Sequence, residues 1–140
     1  MTRETDTSTE DAGLTTIRSK KSSDLHNRME LMQNTENAIF VSIHQNHFGE
    51  EKYSGAQMFY GSNNSEDAKQ LALILQKNFK ENLNPQNERQ IKNADKSLFL
   101  FKKAPQPSIL IECGFLSNPA EEEKLRNEEY QKQISAIIAA

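Results

Sequence analysis

Two short apolar runs constrain this chain most. Ala38-Ile39-Phe40-Val41-Ser42-Ile43 is rich in β-branched and aromatic residues and switches abruptly to polar chemistry, and Ser108-Ile109-Leu110-Ile111 is a second strand candidate. The first run suits a strand covered on both faces. The first ends at His44-Gln45-Asn46-His47 and the second at Glu112-Cys113-Gly114-Phe115. Between them Ala68, Leu71, Ala72, Leu75, Phe79 and Leu83 recur at spacings of three and four, the pattern of an amphipathic helix. Asn63 or Asn64 supplies its N-cap, and Asn84-Pro85 stops it. Strands alternating with helices predict an α/β layer fold with a mainly parallel, mixed sheet flanked by helices.

The remaining segments fit around that frame. Residues 1–23 lack a period and read as loop. Leu25, Met29 and Met32 then mark a helix over 23–33, with Ser22 or Ser23 at its start. Gly55 to Tyr60 is a further strand candidate, and residues 86–97 are polar loop. Asn118-Pro119-Ala120-Glu121 opens a last helix, with Glu121 placed to reach back to the cap. Leu125, Tyr130, Ile134, Ile137 and Ile138 carry that helix towards Ala140.

Composition removes several function classes. The 140 residues carry 17 basic and 20 acidic side chains, a net charge of −3, which argues against nucleic acid as a partner. No apolar run approaches the roughly 20 residues that span a bilayer. One cysteine excludes an internal disulfide and a cysteine-rich zinc module. A nucleotide-binding domain fails for want of a glycine-rich turn. At 35% apolar residues the chain reads as one domain with a thin core.

In α/β sheets the chemistry sits beyond the carboxyl ends of the strands. That rule singles out His44 and Glu112. His44 suits metal binding or proton transfer; a loop histidine held by a hydrogen bond is the plainer alternative. A carboxylate directly after Ser-Ile-Leu-Ile is costly to desolvate, which raises its pKa and suits a general acid or base. Pairing with a cation or capping a helix would account for Glu112 equally well. His47 lies three residues from His44, on the opposite face of an extended strand, and reads as an exposed loop residue. His26 reads as a surface residue, Cys113 as a packed, inert thiol, and Glu121-Glu122-Glu123 as the acidic first turn of a helix. His44 and Glu112 together suggest metal-assisted hydrolysis, with His44 the one convincing ligand.

Val41-Ser42-Ile43-His44-Gln45-Asn46, Ser54-Gly55-Ala56-Gln57-Met58-Phe59-Tyr60 and Ile109-Leu110-Ile111-Glu112-Cys113-Gly114-Phe115-Leu116-Ser117-Asn118-Pro119 occur in this order. Together they resemble the zinc-dependent N-acetylmuramoyl-L-alanine amidases of the amidase-3 type, over essentially the whole chain. Thr2-Arg3-Glu4-Thr5-Asp6 resembles the Thr-Arg-x-x-Asp that follows that family's second strand. The approach to Asp24-Leu25 and Gly55-Ala56-Gln57 resemble the spore-cortex branch, involved in making muramic lactam.

The resemblance implies that His44 is a zinc ligand and Glu112 the catalytic carboxylate. It implies peptidoglycan as substrate, work outside the cytoplasm in the cell wall or spore envelope, and a protein activator as a partner to consider. The family's Asp-Pro-Gly-His-Gly-Gly motif and its following glutamate, which supply two further ligands, do not stand in this sequence. Residues 1–140 are therefore expected to be a partial catalytic domain lacking the family's first strand and helix. Zinc should bind weakly or not at all, the chain alone should be inactive, and an exposed sheet edge should favour self-association. The alternative is a non-catalytic remnant or partner-binding module.

Overall fold

The computed structural model describes residues 5–61 and 65–140. The Asn63 and Asn64 caps and the first three residues of the Thr2–Asp6 motif lie outside them.

Four strands form one mixed sheet in the order β1-β4-β2-β3: β1 (Phe40–Asn46), β2 (Gln57–Tyr60), β3 (Lys92–Asn93) and β4 (Ser108–Phe115). β1 runs parallel to β4 and β2 parallel to β3, whereas β2 and β4 are antiparallel. Two of the three pairings are parallel, in accord with the expected α/β sheet. The helices are α1 (Ile17–Gln33), α2 (Ser65–Asn82), α3 (Phe99–Lys103), α4 (Pro119–Arg126) and α5 (Glu128–Ala139).

Side chains alternate across the sheet and feed two clusters. On one face Met58, Ile109, Ile111 and Cys113 pack against Ala68, Ala72, Leu75 and Phe79 of α2, with Leu125 and Ile134 from α4 and α5. The helical stripe seen in the sequence is thus the principal core face. On the other face Leu110, Phe101 and Ala94 are buried, with Phe40, Phe59 and Leu100 packed on them.

Several expectations are corrected. The run 38–43 is not covered on both faces: β1 is the outermost strand, and Ile39 and Ile43 are 57% and 59% exposed. β1 starts two residues into the first run, and both strands continue past their apolar runs, so His44 and Glu112 sit within β1 and β4 rather than just past them. α1 starts at Ile17, six residues before the expected start at 23, because Thr16 accepts from the Ser19 N–H as its N-cap. Ser23 instead bonds Asp11. The polar 86–97 stretch contributes the two-residue strand β3.

The last helix is two helices. Asn127 is extended, and its side chain accepts from the Tyr130 N–H to cap α5. Asn118 caps α4 as its sequence predicts. Glu121 does not reach back to that cap; its carboxylate spans to Gly55 and Phe115.

Candidate active site at the centre of the sheet

β4 is flanked on both sides, and seven of its eight residues are buried; Glu112 is the exception. The pairing register sets Glu112 beside His44 of β1 and opposite Gln57 of β2. Residues level with one another on neighbouring strands point to the same face, so these three side chains share one surface. The two residues singled out by their strand-end positions are therefore brought together.

Glu112 is half-buried. One carboxylate oxygen has essentially no solvent exposure and no hydrogen-bond partner among the described residues. Burial pushes the carboxyl above its usual range, and the His44 charge pulls it back in part. Neither plainer account of Glu112 holds: it joins no ion pair and caps no helix among the described residues. A half-buried carboxyl with a free oxygen beside an exposed histidine can take up and return a proton.

The other candidates fall as the sequence predicts. His47 is exposed in the loop after β1. His26 is exposed on α1, its ring against Phe99. Cys113 is 5% exposed, and burial, with the nearby Glu112 charge, pushes its thiol up to about 12.

A second set of residues, which sequence reasoning missed, frames the site. Arg89 donates from Nε to the Ser54 carbonyl at 2.6 Å and from Nη1 to Gln57 Oε1 at 3.0 Å. Its guanidinium also lies 4.5 Å from the centre of the Phe115 ring. Gln57 Nε2 donates to the Gln90 carbonyl, so Glu112's neighbour is held at both ends. Glu121 accepts from the Gly55 and Phe115 N–H groups, each at 2.8 Å. The pairing partners lie up to 66 residues apart. Only the Gly55 and Gly-Phe positions of the quoted motifs could have pointed to them.

Metal binding is a question of donor number. A catalytic zinc takes about three protein ligands. Among the described residues no group of three or more His, Cys, Asp or Glu converges. His44 is positioned to give one nitrogen, and Glu112 stands next to it. The described donors thus do not make up a complete zinc site.

Residues 1–140 match the amidase-3 family, described as N-acetylmuramoyl-L-alanine amidase. The chain belongs to this family. A germination-specific N-acetylmuramoyl-L-alanine amidase of Bacillus subtilis (strain 168) is 34% identical over 138 residues, 99% of this chain and 57% of that protein. The CwlD amidase from Clostridioides difficile, solved in complex with the GerS lipoprotein, is 40% identical with a TM-score of 0.91. That match covers 98% of this chain and 69% of CwlD. An N-acetylmuramoyl-L-alanine amidase from Clostridium difficile 630 is 31% identical with a TM-score of 0.73, over 81% of this chain and 60% of that one. The chain thus spans a little over half the length of the first of these amidases. The likeness to a germination-specific amidase and to CwlD agrees with the spore-cortex branch.

Proposed function

We propose that this chain carries the proton-transfer half of a muramoyl-alanine amidase site. The substrate would be the amide between N-acetylmuramic acid and L-alanine of peptidoglycan. The observation that carries the reading is the orphaned oxygen of half-buried Glu112, level with His44 across β1 and β4.

Glu112 takes a proton from the water that attacks the amide carbonyl. A C–O bond forms, and the carbonyl π pair moves onto oxygen. On collapse the C–N bond breaks, and Glu112 returns the proton to the alanine nitrogen, so the carboxylate is regenerated. A raised pKa helps the second transfer, since the acid form must be accessible near neutral pH. His44 is proposed as a zinc ligand. Zinc supplies Lewis-acid polarisation in such reactions, but one histidine is too few donors for tight binding. The chain alone is therefore expected to hold zinc weakly and to turn over little substrate.

The decisive experiment uses the full gene product and muramoyl-peptide. Glu112→Gln should lower kcat by about 10²–10⁴-fold, the usual share of a general acid–base. Bound zinc should be unchanged by elemental analysis. Retained turnover would remove Glu112 from the reaction. His44→Ala should lose the metal. One tightly held zinc on the purified 140-residue chain would overturn the weak-binding expectation.

The names of the relatives support action on cell-wall muramoyl-peptide in germination, and the CwlD–GerS complex supports a protein partner. No helix among the described residues is long and apolar enough to cross a membrane. A second reading, a partner-binding module, is favoured by one observation. A groove of about 920 Å³ runs between α1 and the outer edge of β1, lined by Leu31, Ile39, Val41 and Ile43.

A further inference from the structure

Residues 47–56 join β1 to β2 without regular structure, yet they are tied down along their length. The Phe48 N–H donates to Ser117 Oγ, Asn118 Nδ2 donates to the Glu51 carbonyl, and Glu121 accepts from the Gly55 N–H. Arg89 holds the Ser54 carbonyl, and Asn87 Nδ2 with Gln76 Nε2 holds that of Ala56. Gly55 is left-handed, with φ +93°, and a Cβ there would lie 2.5 Å from Asn87 Oδ1. Such fixation of an exposed loop costs conformational entropy, so the loop presents a set surface.

That surface is aromatic. Phe48 meets Tyr53 edge-on at 4.7 Å, and Tyr53 stacks on Phe115 at 6.3 Å. Arg89 lies 4.5 Å from the centre of the Phe115 ring, and Lys52 lies 5.3 Å from the centre of the Tyr53 ring. The inner end of the row is packed and its outer end open: Phe115 is 3% exposed and Phe48 53%.

The row also lies on Glu112's side of the sheet. Phe115 is three residues past Glu112, and odd spacing in a regular strand sends a side chain to the opposite face. The β1–β4 register shifts between His44 and Asn46, where two residues of β1 match three of β4. This irregularity re-aims Phe115. The Arg89 contacts agree, since one guanidinium touches both Phe115 and Gln57, the residue opposite Glu112.

Resting on the amidase reading above, we propose that Phe48 and Tyr53 form the sugar subsite, a ledge on which the N-acetylated pyranose of the muramoyl group stacks. The chemistry favours a sugar over the peptide stem. A pyranose offers a flat array of polarised C–H bonds that matches the negative face of an aromatic ring. The sugar carries polar groups at its rim, which the neighbouring Lys52–Glu50 ion pair and the loop backbone can meet. A fixed ledge on Glu112's side of the sheet would hold the sugar while its lactyl amide reaches the carboxylate.

Saturation-transfer NMR with N-acetylmuramoyl-L-alanyl-D-isoglutamine tests this in the full gene product. Saturating aromatic protons should mark the pyranose protons more strongly than the alanine methyl. Tyr53→Ala should weaken binding roughly tenfold and remove that preference. Phe48→Ala, at an exposed position, should do so in part without risk to folding. Equal transfer in wild type and both variants, transfer centred on the peptide, or no binding by the wild type would each overturn the ledge. Amidase assays of the same proteins separate the two ideas. Wild-type hydrolysis that Phe48→Ala and Tyr53→Ala leave at the same KM would overturn the ledge and spare the amidase reading. Binding that keeps the pyranose preference with no hydrolysis would sustain the ledge and count against the enzyme.

Discussion

Glu112 and Cys113 are consecutive on β4, and their environments diverge because successive side chains of a strand point to opposite faces. Glu112 faces the surface it shares with His44 and Gln57, while Cys113 enters the α2 core. Burial raises the pKa of both, the half-buried carboxyl and the buried thiol. The consequence for Cys113 can be measured. The unfolded thiol ionises near about 8.5, whereas the folded one holds its proton up to about 12. The folded pKa is raised, so its contribution to stability is complete below about 8.5 and is lost as pH rises towards the folded value. Denaturant unfolding of wild type should therefore lose up to about 1.4 kcal/mol per pH unit above that point, relative to Cys113→Ala. Parallel pH profiles for the two proteins between 8 and 9.5 would show that the thiol is not so buried. The same burial should leave Cys113 slow towards iodoacetamide at pH 8 until denaturant is added. Both residue-scale features were legible in the sequence, because a polar residue set directly after an apolar strand run leaves few environments open to it.

At the scale of elements, legibility followed the range of the interactions. The α2 stripe and the Asn118 cap are local patterns, and both were read correctly. Asn127 breaks the last helix by a local cap, but Leu125 and Tyr130 on either side continue the apolar rhythm and hide it. The Glu121 clamp was illegible because its partners, Gly55 and Phe115, come from a loop 66 residues away and from the end of β4. It gives the Gly-Phe-Leu-Ser-Asn-Pro-Ala-Glu stretch a structural task beyond the chemistry of Glu112: Ser117, Asn118 and Glu121 all fasten the 47–56 loop. Glu121→Ala should orphan two part-buried N–H groups at roughly 1–3 kcal/mol each. Unfolding midpoints would register the loss, and Glu121→Gln, which keeps one acceptor, should recover much of it. Amide exchange at Gly55 and Phe115 should speed up in the alanine variant; unchanged protection there would mean that the clamp carries no weight.

Across the whole molecule the two edges of the sheet differ: β3 is a two-residue polar strand, and β1 is a seven-residue strand with apolar residues. β4 lies between two strands, β2 carries β3, and β1 has no further partner among the described residues. A run as apolar as 38–43 reads as a strand covered on both faces, since sequence pattern records what a segment can bury and not whether cover is present. Here Ile39, Val41 and Ile43 remain 57%, 38% and 59% exposed and line the groove beside α1. An unpaired edge that is also apolar is a template for strand addition, and soluble proteins commonly guard such edges with charge. Arg28, which lines that groove, is already paired with Asp24 at 2.8 Å. The 140-residue chain should therefore self-associate at micromolar concentration. Ile39→Lys adds a charge at a position that is already mostly in water, so it should cost little stability while lowering the weight-average mass in light scattering. A wild-type chain that stays monomeric, or a lysine variant that associates as strongly, would place any association on another surface.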